Sequence, residues 1–166
     1  MLLDLKEVFL NDGKRLVQNC SVDMSDMEIN GVKPFVSPVM VNAVADNRAG
    51  IVKITCKADF TYSRPCDRCT TDTAKDMSMT FVHPLVVSLS GDHNDDYIET
   101  PDYTLELDDL IIADVLLEIP SKHLCSEDCK GLCPICGTDL NRTTCSCDSS
   151  HIDSRLEILK QLIDND

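Results

Sequence analysis

The chain lacks tryptophan altogether and has only four phenylalanines and three tyrosines in 166 residues. A core must therefore be filled by Val, Ile, Leu and Met. Its six glycines are isolated, and neither G-x-x-x-x-G-K nor G-x-G-x-x-G can be written from them. That excludes the glycine-rich loops that cradle phosphates. A G-x-S-x-G nucleophile elbow is absent too. No apolar run approaches the roughly 18–20 residues that cross a bilayer. The opening Met1-Leu2-Leu3-Asp4-Leu5-Lys6-Glu7 puts acids inside its only short apolar stretch, without the basic and small-residue regions of a leader. The expectation is a cytoplasmic chain in a reducing compartment, with no membrane partner.

Positive charge is scarce: 15 Lys and Arg stand against 29 Asp and Glu, for a net charge of −14. Residues 1–120 carry ten bases against 21 acids, and residues 121–166 five against eight. Neither part is a basic footprint, so broad phosphate-driven binding of nucleic acid is disfavoured. An acidic body more readily meets a basic partner, although acidity for solubility alone explains the charge equally well.

What the chain has is cysteine: ten in all, six of them between Cys125 and Cys147 in the spacing Cys125-x3-Cys129-x3-Cys133-x2-Cys136-x8-Cys145-x-Cys147. Thiolates this close in sequence can converge on one tetrahedral ion at about 2.3 Å per Zn–S bond. The segment's apolar side chains are only Leu124, Leu132, Ile135 and Leu140, too few for an ordinary core. Order here needs metal or disulfides, and a reducing compartment favours structural zinc. Cys133-Pro134-Ile135-Cys136-Gly137 has the form of a zinc knuckle, with Gly137 free to take the positive φ that such a turn needs. Cys145 and Cys147 can supply the other pair.

Upstream, Arg64-Pro65-Cys66-Asp67-Arg68-Cys69 falls at the tip between two expected strands. Three readings stand: a redox dithiol, a reduced pair with no ligand role, or half of a second zinc site completed by Cys125 and Cys129. The last divides eight cysteines into two tetrads without remainder. A redox dithiol wants a helix N-terminus in a βαβ unit, and the surroundings read as a hairpin. Cys20 and Cys56 fall on inward strand positions, as small buried hydrophobes. A catalytic zinc keeps an open position and usually has His or carboxylate ligands. Every clustered candidate here is Cys, and none of His83, His93, His123 or His151 opens the His-x-Glu of a zinc deaminase. A closed structural site and a non-enzymatic protein with no small-molecule substrate are expected. His83, on an apolar strand face, reads as a satisfied core histidine.

Period-two alternation marks the first ninety residues as strands. The runs are Leu16, Cys20, Val22 and Met24; Val39 to Ala45; Val52 to Phe60; and Met77 to Leu89, where Pro84 predicts an edge or a bulge. Asp46 to Gly50 predicts a hairpin turn. Residues 91–104 read as an acidic exposed loop. Leu107, Leu110, Ile111, Val115 and Leu116 recur at helical spacing and Pro120 stops them, predicting a helix over 107–119. Asp114 and Glu118, four apart, read as a solvated stripe on that helix rather than as a catalytic pair. Ser154-x-x-Glu157 and the apolar positions after it predict a C-terminal helix. The architecture expected is α+β: an antiparallel, curled or barrel-like sheet with one helix over residues 1–120, and a zinc segment with its packed helix over 121–166.

Three features taken together are similar to the YceD family: Cys66-x-Arg68-Cys69 on a strand tip; a helix that begins Leu-Asp-Asp-Leu and ends in Ile119-Pro120; and the string Leu124-Cys125-x3-Cys129-x-Gly131-Leu132-Cys133-x2-Cys136-Gly137-x2-Leu140-Asn141. Its members are bacterial and plastid proteins described as large ribosomal RNA subunit accumulation proteins, a domain of unknown function. The resemblance implies a role in 23S rRNA accumulation or ribosome assembly, no enzymatic reaction, and a ribosomal protein or pre-ribosomal large subunit as partner. Arg64 and Arg68, with Lys53 and Lys57 on the preceding strand, are the one locally basic stretch and the candidate contact for rRNA or a partner. Ordinary strand-surface charge accounts for them as well. Two other functions fit the same cysteines: a zinc-ribbon adaptor unrelated to ribosomes, and a thiol redox switch.

Overall fold

The computed structural model describes residues 1–88 and 96–147, and the expected C-terminal helix and the loop residues 91–95 lie outside them. Contacts divide the chain into two units. The first is Met1–Arg64 with Asp72–His123; the second joins Pro65–Thr71 to the chain from Leu124 onward. The expected division after residue 120 thus leaves out one fact: seven residues from the middle of the chain group with its tail.

In the first unit the period-two runs become long strands. These are β2 (Arg15–Val22), β3 (Val39–Arg48), β4 (Ile51–Pro65) and β5 (Asp72–Val86), preceded by a short β1 (Leu2–Asp4) and α1 (Lys6–Leu10). The hydrogen-bonded order is linear, β2-β3-β4-β5-β6, where β6 is Ile98–Glu99. β2–β3 and β3–β4 are antiparallel, and β5–β6 is parallel. The fold is α+β on a mostly antiparallel sheet, and its order contains no closing pair among the described residues.

One face of the sheet is apolar because alternate residues share it. Val39, Val41, Ala43 and Ala45 of β3 and Val52, Ile54, Cys56, Ala58 and Phe60 of β4 are all buried. The β3–β4 turn is tighter than its sequence, since only Ala49 (φ 54°) and Gly50 (φ 80°) lie outside the strands. Two successive positive-φ residues match the right-handed twist of the flanking strands. Asn47, buried beside it, donates from Nδ2 to the Val8 carbonyl at 2.9 Å, satisfying the last turn of α1.

Three expectations need refinement. β5 continues through Pro84 and is interior to the sheet order as a whole, but at Pro84 itself its outer side has no paired strand among the described residues, the local edge that the proline predicts. The missing N–H is tolerated because β6 pairs with β5 only at Leu85 and Val86, just beyond it. Residues 98–106 are not one loop. They form β6, a 3₁₀ turn (Pro101–Tyr103) and β7 (Thr104–Glu106), which pairs with β1. Strands of two or three residues are too short to show a period.

The third correction concerns α2 (Leu107–Glu118), which buries Leu107, Ile111 and Val115 as its spacing predicts. Asp114 is not part of a solvated stripe. It is 8% exposed, and its Oδ2 meets His83 Nε2 at 2.8 Å. Asp114 follows Ile111 by three positions and so shares the buried face. There a carboxylate requires a partner. Glu118 is exposed. Among the described residues no helix is long and apolar enough to cross a membrane.

Candidate metal centres

Eight cysteines converge in two groups of four within the second unit: Cys66, Cys69, Cys125 and Cys129, and Cys133, Cys136, Cys145 and Cys147. In each group the four sulfurs lie within 4.8 Å of one another. A tetrahedron with Zn–S bonds of 2.3 Å has edges of about 3.8 Å. Cys66 and Cys129 stand 3.8 Å apart at Sγ, and Cys69 and Cys125 3.6 Å. These are ligand spacings, well beyond the ~2.05 Å of a disulfide bond. All ten cysteines are free.

Local backbone geometry explains how each C-x-x-C presents its pair, and it is the same in both. The Thr70 N–H donates to the Cys66 carbonyl, and the Cys66 N–H to the Thr71 carbonyl, each at 2.9 Å. In the other loop the Gly137 N–H donates to the Cys133 carbonyl at 2.9 Å and the Cys133 N–H to the Thr138 carbonyl at 2.8 Å. The residue after the second cysteine is left-handed in each, with φ 58° at Thr70 and 73° at Gly137. A hydroxyl follows it: Thr71 Oγ1 is 3.4 Å from Cys69 Sγ, and Thr138 Oγ1 is 3.1 Å from Cys136 Sγ. With the sulfur as thiolate, the hydroxyl is the donor.

Further donors surround the first tetrad. Arg68 Nη1 donates to the Cys129 carbonyl at 2.7 Å, and Asn141 Nδ2 reaches Cys129 Sγ at 3.4 Å while its Oδ1 accepts from the Lys130 N–H. The Leu132 N–H donates to the Arg68 carbonyl at 3.1 Å. Gly131 makes that approach possible, since a Cβ there would lie 3.0 Å from the same oxygen. The apolar content is as thin as the composition predicts: Cys66, Cys69 and Cys129 are buried with only Leu124, Cys125 and Leu132 packed on them.

Ionisation of these thiols is uneven. Burial works to raise Cys66, but N–H donors of Arg68, Cys69 and Cys125 outweigh it and bring the thiol down to about 6. Thr138, through its hydroxyl and its amide, brings Cys136 to about 6. Cys125 is pushed up to about 12, first by Cys129 and then by Cys69, and Cys147 to about 12, first by Cys136. Neighbouring sulfurs resist a second charge. A divalent cation at the centre removes that resistance, which is the chemistry of a metal-thiolate site.

Sequence reasoning missed Thr71, Thr138 and Asn141 as donors to sulfur. The available signal was a threonine two positions after each C-x-x-C. Outside the tetrads, Cys56 is buried and pushed up to about 12 by burial, then by Asp114 and Cys20; Cys20 is half-buried. Arg64 and Arg68 fall in different units. Lys57 is paired with Asp59 at 2.9 Å.

Fold and site together define an α+β protein with two all-cysteine centres able to hold metal ions. A family model described as large ribosomal RNA subunit accumulation protein YceD matches residues 54–163. That stretch runs from β4 through both tetrads, and the chain belongs to the YceD family. No curated protein and no solved structure matches it. The family's name implies a role in accumulation of large-subunit ribosomal RNA.

Proposed function

We propose that this protein is a non-enzymatic assembly factor that supports accumulation of large-subunit rRNA by binding a ribosomal protein or a pre-ribosomal particle in the cytoplasm. The observation that carries the reading is the family match across both cysteine centres. The acidic body, at −14, supports a basic partner such as a ribosomal protein.

In the same reading the two tetrads hold structural Zn²⁺. All-cysteine ligand sets close the coordination sphere and leave no position for substrate. Two half-buried leucines, Leu124 and Leu132, offer roughly 1.5–3 kcal/mol between them. That is far less than the ordering cost of about 1 kcal/mol or more for each residue of the second unit. One structural zinc contributes about 10–16 kcal/mol, so metal is the term able to fold it. When bound, the ions supply cross-links; the chain supplies the sulfurs, the donors that hold them and the surface that is recognised.

Affinity purification of the tagged protein from growing cells, with RNA and protein identified, tests this. Large-subunit ribosomal proteins or precursor 23S rRNA are expected to co-purify and to co-sediment with precursor large subunits, and Cys66→Ser is expected to reduce that recovery. A non-ribosomal complex recovered in their place would assign an adaptor role instead.

A further inference from the structure

The five-stranded sheet ends in β2, and among the described residues no strand pairs with the outer side of β2. Its register with β3 runs unbroken from Arg15 opposite Asp46 to Val22 opposite Val39, so the strand has no bulge. The Asn47 N–H donates to the Lys14 carbonyl at 3.0 Å, which sets the parity of the ladder. The even-numbered residues of β2 turn their backbone groups toward β3, and Arg15, Val17, Asn19 and Ser21 turn theirs outward. The Asn19 carbonyl accepts from the Gln18 side-chain amide at 3.1 Å, as an outward carbonyl can.

An open edge is a template for another strand, and stable folds blunt it with charge, proline, bulges or very short strands. β5 shows such protection: it carries Asp72, Lys75, Asp76 and Pro84, and β6 pairs with it only at Leu85 and Val86. The interior of β2 has none of these devices. Arg15 is its only charged residue, in a chain of net charge −14. Val17 is 50% exposed and Met40, on the neighbouring strand, 58%. A groove of about 450 Å³, lined in part by Asn19, Ser21, Met40 and Asn42, borders the same edge.

The two ends of this strand are complementary to each other. Arg15 forms no ion pair among the described residues, and Asp46 opposite it is taken by Arg48 at 3.0 Å. Asp23, just past the other end, is exposed and accepts from the Ser25 N–H at 2.9 Å, with no base paired to it among the described residues. Antiparallel pairing of two copies about a two-fold axis at Asn19 sets Arg15 opposite Asp23 of the second copy, and Val17 opposite its Ser21. Ser21 pairs with Met40, so each Val17 also arrives beside the exposed Met40 of the other copy. Repulsion between the two acidic bodies is screened beyond about 8 Å at physiological salt, and the seam itself is neutral.

We propose that β2 is a self-pairing edge through which two copies of this chain join their sheets into one antiparallel sheet. The seam is a single strand pair, so the dimer is weak and reversible.

The test uses the full, metal-loaded chain in sedimentation velocity from about 1 μM to about 500 μM. Dimer is expected to grow with concentration. Arg15→Asp and Asp23→Arg should each weaken it at least about tenfold, and the double variant should restore it. Asp23→Arg lowers the net charge, so self-repulsion alone would make that variant dimerise more tightly. Val17→Pro should be a folded monomer, because the lost N–H points away from β3. Amide hydrogen exchange supplies a readout that needs no variant. The Val17, Asn19 and Ser21 amides should exchange quickly when dilute and slowly when concentrated, while Leu16, Gln18 and Cys20 stay slow throughout. A chain monomeric at every concentration, a tighter dimer with Asp23→Arg, no rescue by the double variant, or a dimer that survives Val17→Pro would overturn the proposal. So would a monomer in which Val17→Pro lowers recovery of another protein, which would assign the edge to that partner.

Discussion

The sulfurs of Cys66 and Cys129 lie 3.8 Å apart, although 63 positions of sequence separate them. Half of the first tetrad is thus supplied by a strand-to-strand tip and half by the segment that follows Pro120. The contact is reinforced by Arg68 on the Cys129 carbonyl and by Leu132 on the Arg68 carbonyl. The pairing of distant segments brings several expectations within reach of experiment.

The purified protein is expected to hold two zinc ions per chain, measured by elemental analysis and native mass spectrometry. Cys129→Ser should reduce this to one, and so should Cys145→Ser. Mild reductant should leave the content unchanged. A metal-free protein with a measurable dithiol couple would refute the structural reading.

Thr70 and Gly137 occupy the same left-handed position in the two knuckles. A non-glycine residue there costs about 1–2 kcal/mol. A Cβ at Gly137 meets nothing within 4 Å, so Gly137→Ala should show that backbone cost alone in chemical denaturation. Gly131→Ala should cost more, because the new Cβ also meets the Arg68 carbonyl at 3.0 Å. Thr70→Gly should stabilise its knuckle by up to about 1 kcal/mol, once the greater freedom of glycine in the unfolded chain is subtracted.

Arg68 touches the backbone of a ligand, so Arg68→Ala should weaken zinc at the first tetrad about 10–100-fold and leave the second unaltered. Site-resolved competition against a chromophoric chelator distinguishes this from a direct role in RNA binding, in which zinc affinity would not move.

Thiol ionisation gives metal binding a definite pH dependence. Cys66 and Cys136 titrate at about 6 in the metal-free fold, below the ordinary 9.0, and Cys125 and Cys147 at about 12. The lowered thiols contribute stability that is complete above pH 9 and lost as pH falls through 6. The raised thiols must shed protons to bind metal at any neutral pH. Zinc affinity should therefore decline as pH drops from 8 and decline more steeply below 6. A competition titration showing affinity independent of pH would contradict this.

The His83–Asp114 pair should behave as a part-buried polar contact. Removing one partner leaves the other unsatisfied, at about 1–3 kcal/mol. Urea denaturation of His83→Ala, Asp114→Ala and the double variant should show a positive coupling energy. Additive losses would mean that the 2.8 Å contact carries no energy of its own.

Much of this was legible beforehand, for identifiable reasons. Val39, Val41, Ala43 and Ala45, and Val52 through Phe60, reveal strands because a pleated strand with one buried face alternates strictly. Cys133-x2-Cys136-Gly137 reveals a knuckle because glycine marks the positive φ. The identical turn at Cys66-x2-Cys69 is less visible because Thr70 sits where glycine is expected. Short β6 and β7 carry no period at all. Asp114 was misplaced because helical spacing records which residues share a face, not what the opposite wall offers, and His83 lies on a strand 31 positions away.

By itself, then, the sequence determined the strands, helix α2, the absence of nucleotide-binding loops, and a cluster of thiols at metal-ligand spacing. These are local properties, set by alternation, by backbone preference and by composition. Only the tertiary structure decided that eight of those thiols form two tetrads at ligand spacing, that Thr71, Thr138, Arg68 and Asn141 support them, and that Tyr62 has a hydroxyl without a partner. Distances between sulfurs and the pairing of a buried hydroxyl depend on which distant segments meet, and one-dimensional order does not record that.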